Sequence, residues 1–328
     1  MSGKKQPENP VTRLINAILG TGRKKQNALL AVAMTVVIAL VLTVGEFTDG
    51  GLPSWSDGCD AMGGSVVSGG EMRIHAIDIG QGDCVLVQGG GVNILIDAGE
   101  SGMGRQVLSY LESMGVRKLD WVINSHPHSD HMGGLAAVIS GIAVENVMMP
   151  RLPDELVPAT RTYENLMEAI AEKGLRVTAA SAGDIYTFGN NGEMTMKVLS
   201  PQNPSPYTEL NDCSVALLFS CAGLRFFTAG DIEERVEDDL LESGVKLRAD
   251  IYKASHHGSN TSSSKKFLKA VKPQYAFICC GIDNSYNHPS RKVVQRLESM
   301  GVEVERTDLA GTIVYHWDGE KVTVKTEK

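Results

Sequence analysis

The stretch SHPHSDHMGG, residues 125–134, follows directly on the apolar run LDWVINS. Four metal-capable side chains, His126, His128, Asp130 and His131, fall within six positions there. On a short extended loop, alternate residues point the same way, so His126 and His128 can aim at one point. Asp130 and His131 open the next turn and can aim at a second, nearby point. Neutral imidazole and carboxylate are the ligands that suit zinc, and they also serve manganese or iron. A solvated polar turn rarely collects four such groups. Gly133 and Gly134 permit close backbone packing beneath a cluster.

Three further segments carry the same chemistry to strand ends. FFTAGDIEE delivers Asp231 just after an apolar strand, where a carboxylate can bridge two cations or cap the following helix. Glu233 and Glu234 then fall in that helix's first turn, where acids suit the dipole. YKASHHGSNTSSS places His256 and His257 at another strand end, with Gly258 allowing a tight turn. Ser262 or Ser263 can cap the next helix, whose free N–H groups are expected to hold an anion together with Ser259 and Asn260. GIDNSYNHPS puts Asn287 and His288 in a loop after the strand QYAFICC. Asp78, Asp83 and Asp97 end the runs IDIGQGDC and ILIDAG. Asp97 is expected to bind backbone N–H groups of a neighbouring loop, and all three acids to orient ligands from behind.

Short strand-like runs and helix-like runs interleave from Glu71 to the C-terminus in two similar halves. An α/β fold of two face-to-face sheets with helices outside, an αββα sandwich over 71–328, buries these faces in one domain. Upstream, residues 27–45 form a 19-residue run without charge, NALLAVAMTVVIALVLTVG. That is about the span of a bilayer core. Residues 1–26 hold six Lys/Arg and one acid, and Glu46 and Asp49 follow the run. The bias predicts a single-pass membrane helix at 27–45, a cytoplasmic segment 1–26 and the remainder outside the cell. A cleaved signal peptide is the rival reading, but no clear Ala-x-Ala site follows. The Gly/Ser/Asp-rich residues 46–70 read as a linker. After residue 27 the chain is net −13, with 25 basic and 38 acidic residues, a poor general magnet for nucleic acid. Six cysteines do not make a disulfide framework here; Cys279 and Cys280 read as small core residues, and Cys59 lies in the linker.

HPHSDHMGG resembles the signature of the metallo-β-lactamase fold. IDIGQGDCVLVQ, ILIDAG, FFTAGD, HHGSNTSSS and YNHPS, in that order over about residues 72–315, resemble the metallo-β-lactamase domain of ComEC-type competence proteins. The resemblance implies two divalent metal ions, zinc or manganese. One would be held by His126 and His128, with Asn211 or Asp212 where many relatives add a histidine. The other would be held by Asp130, His131 and His257, with His256 as fallback and Asp231 bridging. It implies a hydrolase, with a metal pair making water reactive toward phosphorus. Ser259 and Asn287 would hold phosphate oxygens, and His288 or His256 would protonate the leaving group. The implied substrate is DNA. A cell-wall or lipid phosphodiester, as in teichoic-acid phosphorylcholine esterases, fits the acidic charge better. A surface binding module that holds no metal is the non-enzymatic alternative. The chain's single apolar span departs from the polytopic channel of DNA-uptake members.

Overall fold

The computed structural model describes Val67 and residues 69–328 apart from residue 204. The expected segments 1–26 and 27–45, and all but the end of the linker 46–70, lie outside the described residues, as does Cys59. Among the described residues no helix is long and apolar enough to cross a membrane.

Two sheets face each other. The first runs β15-β14-β1-β2-β3-β4-β5-β6. Its strands are β1 Met72–Ala76, β2 Val85–Gly89, β3 Val92–Ile96, β4 Lys118–Ile123, β5 Ala143–Pro150, β6 Val177–Ala180, β14 Ile313–Trp317 and β15 Val322–Thr326. The second runs β13-β12-β11-β10-β9-β8-β7. It comprises β7 Ile185–Phe188, β8 Met194–Ser200, β9 Ala216–Cys221, β10 Leu224–Thr228, β11 Ile251–Lys253, β12 Tyr275–Ile278 and β13 Glu303–Arg306. The helices are α1 Gly104–Ser113, α2 Ser129–Met132, α3 Leu135–Gly141, α4 Arg161–Glu172, α5 Glu234–Glu242, α6 Lys265–Val271, α7 Arg291–Ser299 and α8 Thr307–Ala310.

The period-2 alternation of side chains builds the layers. Ile74, Val87, Ile94, Trp121 and Ile123 of the first sheet meet Val198, Leu217, Phe219, Phe226 and Phe277 of the second in one core. The alternate residues Phe227, Tyr252, Ala276 and Ile278 face a second core, with Val236 and Leu240 of α5, Phe267 and Leu268 of α6 and Val293 and Leu297 of α7. Cys279 falls in the first core and Cys280 in the second, as neighbours on an extended chain must. All five described cysteines are buried free thiols. Strand β7 escaped sequence reading, although the Asn191-Gly192 pair before β8 is a hairpin signal.

Strands β3 and β4 run parallel, as do β10, β11 and β12. Their C-terminal ends carry Asp97, the 125–131 loop, Asp231, the 255–264 loop and the 281–290 loop. In parallel α/β architecture the space beyond these ends is where ligands bind.

One of these loops is anchored by a buried acid. Glu237 on α5, fully buried, accepts from the N–H of Ser263 at 2.5 Å and of Ser264 at 2.9 Å. Ser264 in turn caps α6 by accepting from Phe267 N. The N–H groups expected to hold a bound anion are thus already taken by a carboxylate of the chain. Glu237→Ala, which orphans two buried donors, is expected to lower stability by about 3 kcal/mol. Chemical denaturation compared with Glu237→Gln, which keeps an acceptor, checks this.

Candidate metal centre

The 125–131 loop is fixed from beneath by Asp97. Its carboxylate accepts from Ser125 N at 2.8 Å, Ser125 Oγ at 2.5 Å, Asn124 Nδ2 at 3.1 Å and His131 Nδ1 at 2.9 Å. This is the orienting position that the sequence reading gave it. His131 is thereby left with Nε2 facing Asp231 Oδ2 at 3.2 Å. His257 arrives from the opposite sheet, its Nδ1 bound to the Cys279 carbonyl at 3.0 Å. Its Nε2 lies 3.4 Å from the same Asp231 oxygen and 3.3 Å from Asp130 Oδ2. Asp130, His131, Asp231 and His257 therefore converge. His126 Nε2 and His128 Nδ1 meet beside them at 2.9 Å, and the His126 and His131 rings lie 4.2 Å apart.

Asp83 is drawn into the same group: with His131, Asp231 and His257 it can offer ligand atoms within 4.8 Å of one another. The atoms decide its part. Asp83 approaches the Nδ1 side of both imidazoles, 3.3 Å from His257 and 3.6 Å from His131. Asp130 and Asp231 approach the Nε2 side. Asp83 is thus behind the histidines and the other two acids are in front, where a cleft of about 260 Å³ opens.

Behind Asp83 lies a group that sequence reading missed. The Lys253 ammonium, fully buried in β11, pairs with the Asp83 carboxylate. A single lysine in the strand-like run ADIYKAS reads as a side chain reaching for solvent. The signal available was its place three residues before the histidine pair.

The other expected residues separate. Asn211 lines the cleft, with its buried Oδ1 unpartnered. Asp212, expected as a possible ligand, instead accepts from Glu233 N at 3.1 Å and lies outside the cleft. The cause is the 3-10 turn Asn211–Cys213, in which neighbours point about 120° apart. His256 sits at the rim, its Nδ1 3.2 Å from Thr261 Oγ1 and 3.3 Å from Glu233 Oε1, so His257 rather than His256 joins the buried cluster. Ser259 is buried and spends its hydroxyl on Thr261. Asn260 and Asn287 are exposed and do not line the cleft; a loop residue's type does not say which way it faces. His288 does line it, together with Tyr286 and Gln81, which sequence reading did not single out. Asp78 is away from the cluster, accepting from Gly80 N and lying 3.6 Å from Lys328.

The electrostatics fit a cation. Buried His131 Nε2, His257 Nε2 and Asp231 Oδ1 have no aligned hydrogen bond, a costly arrangement unless another partner is shared. Burial opposes charge on His131 and His257, yet Asp231 and then Asp83 hold both well above the usual imidazole range. Burial would raise Asp231, but the same two imidazoles hold it well below the carboxylate range. Asp130 is likewise held low against burial, by His257. Burial depresses His126 and His128 and brings His288 down to about 4. Imidazoles kept neutral are ready to ligate.

A pH prediction follows from the signs. His131 and His257 are raised, so their stabilisation is complete below the ordinary value of 6.5 and fades as pH rises through their folded values. His75, His126, His128 and His288 are depressed, so theirs is present above 6.5 and is lost as pH falls. The Tm of the protein in EDTA is expected to peak near pH 6.5, the ordinary imidazole value. Zinc or manganese is expected to flatten the alkaline decline, because a cation replaces the two protons. Melts across roughly pH 5 to 9, with and without metal, check both arms.

Residues 77–171 match the metallo-β-lactamase superfamily profile. YhfI of Bacillus subtilis, a metallo-β-lactamase-fold protein, superposes with a TM-score of 0.51 at 14% identity, over 75% of this chain and all of that one. The chain carries a metallo-β-lactamase fold. In this metallo-β-lactamase domain the cluster is of the dinuclear metal-binding type. Asp130, His131, Asp231 and His257 would hold one cation, and His126, His128 and Asn211 would face the other. The domain is similar to ComE operon protein 3 of Bacillus subtilis, 30% identical over 267 residues, 75% of this chain and 33% of that protein. It is also similar to competence protein ComA of Neisseria gonorrhoeae, 28% identical over 253 residues, 75% of this chain and 32% of that one. The chain spans about a third of the length of these curated relatives.

Proposed function

We propose that the protein is a metal-dependent phosphodiesterase acting on DNA outside the cytoplasm, tethered by residues 27–45. The observation that carries the reaction is the meeting of His131 Nε2, His257 Nε2, Asp130 and Asp231 at the floor of an open cleft. The competence relatives support DNA as substrate, and the apolar run with its flanking charges supports the tether. A divalent cation pair in such a site supplies charge neutralisation at phosphorus and a nucleophile at neutral pH.

The chain's residues divide the remaining work. Asp97 and the Cys279 carbonyl fix the tautomers of His131 and His257, so that both Nε2 atoms face forward. His288, brought down to about 4 by burial, is neutral at pH 7 and holds no imidazolium proton to deliver there. Proton delivery to the leaving oxygen falls to His256, at the rim, with Glu233 holding its Nδ1 side.

Incubation of the purified protein with manganese or zinc and single-stranded DNA tests the reading. Cleavage abolished by EDTA is the expected result, and an intact strand under all metals overturns the DNA assignment. The charge of −13 after residue 27 favours a second reading, a wall or lipid phosphodiester. Turnover of p-nitrophenyl phosphorylcholine without DNA cleavage would select it. Elemental analysis showing less than about one metal per chain, with no activity, would select the binding module. Alkaline phosphatase fused after residue 328 is expected to be active, as it is only when exported.

A further inference from the structure

The mouth of the cleft presents an aromatic ring for which the fold has no use. Tyr286 lines the cleft and is 63% exposed. One face lies against His288, ring centroids 5.8 Å apart and planes 21° from parallel. His288 in turn overlies His257 at 6.0 Å and 30°. A slipped ladder of three rings thus leads from the metal-binding cluster to solvent and ends in an open tyrosine face. Ile282 on the same loop is 68% exposed.

This exposure is imposed by a braced loop. Asn284 donates to the carbonyls of Gly281 at 2.9 Å and His288 at 2.5 Å, and accepts from His288 N at 3.0 Å. Gly281 N is tied to Oε1 of Gln81, a residue of the cleft wall, at 3.1 Å. The ring is held out at little further entropic cost to binding, which is the condition for a stacking platform.

We infer that Tyr286 is the platform on which a base of single-stranded nucleic acid stacks beside the scissile phosphate. The inference rests on the phosphodiesterase reading and adds to it the form of the substrate. A flat base needs one ring face, and every base has one to offer. A quaternary ammonium group is bound by a cage of several aromatic rings. Among the described residues lining this cleft, Tyr286 is the one Phe, Tyr or Trp. Arg291 and Lys292, both exposed, open α7 directly after the loop and suit the phosphates of a strand. In duplex DNA the base faces are covered, so the platform selects unpaired strands.

The test separates this inference from the reading beneath it. Binding of the full-length protein to a labelled oligothymidylate and to an abasic strand of equal length is measured by fluorescence anisotropy at fixed salt. Each strand is checked intact by gel. The wild type is expected to bind the thymidylate strand about tenfold more tightly than the abasic one. Tyr286→Ala is expected to erase that difference, and Tyr286→Trp to keep it. Equal affinity of the wild type for both strands, or an unchanged difference in Tyr286→Ala, overturns the inference. So does loss of phosphorylcholine binding in Tyr286→Ala with thymidylate binding intact, which would place a wall substituent on the ring. Manganese-dependent turnover of bis(p-nitrophenyl) phosphate by the wild type is scored separately; its absence defeats the phosphodiesterase reading whatever the strands do.

Discussion

Asp231→Ala is expected to lower phosphodiester turnover by about a thousandfold or more. Among the described residues no other carboxylate touches both imidazoles from the cleft side: its Oδ2 lies 3.2 Å from His131 Nε2 and 3.4 Å from His257 Nε2. Removing it leaves two rings from opposite sheets with no shared partner in front. Metal content measured on the purified variant should fall with turnover. A readout independent of catalysis comes from the EDTA melts. Asp231 leads the groups that raise both imidazoles, so in the variant the alkaline decline in Tm should still begin near the ordinary imidazole value but be smaller and end at lower pH. Undiminished turnover in Asp231→Ala would remove the basis for a metal-assisted reaction at this cluster.

Lys253→Met should unfold the protein more readily than any surface change, by about 3–5 kcal/mol. The Lys253 ammonium is fully buried, pairs with Asp83 and donates to the Gly230 carbonyl at 3.3 Å. Burial opposes its charge, and Asp83 more than restores it. Without it, Asp83 loses its nearest cation and keeps the His257 and His131 rings at 3.3 and 3.6 Å, which Asp97, Asp130 and Asp231 also claim. The Tm should drop by roughly 10 °C. The double variant Lys253→Met/Asp83→Asn should recover part of that loss, because the stranded charge is gone. A double variant no more stable than the single one would show that the lysine acts through packing and not by pairing.

What could be read from the sequence was set by periodicity and by residue density. The apolar run 119–123 followed by three imidazoles and an acid announced both a strand and its cargo. Asp231 and His257 followed the same rule, because each ends an apolar strand that can be placed without coordinates. Directions of side chains could not be read. Asn211 and Asp212 are adjacent and chemically alike, and the turn they occupy sends one to the cleft and one to Glu233 N. Asn260 and Asn287 have suitable amides on suitable loops and face solvent. Lys253 and Glu237 were illegible for the opposite reason. Charged residues are expected outside, and only tertiary contacts show these two buried against Asp83 and the Ser263–Ser264 backbone. The anion expected at the start of α6 was therefore real in kind and wrong in origin, since the chain supplies it itself.

The cluster draws on both sheets, with Asp83 and His131 from the first and Asp231, Lys253 and His257 from the second. Residues 83 and 253 stand 170 positions apart, so no early fragment of the chain owns the site. Contacts of such long range form late, after loop closure has been overcome. Cation capture must then wait until synthesis has passed residue 257 and the two halves have docked. The metal acquired would be the one offered by whichever compartment the chain occupies when it finishes folding.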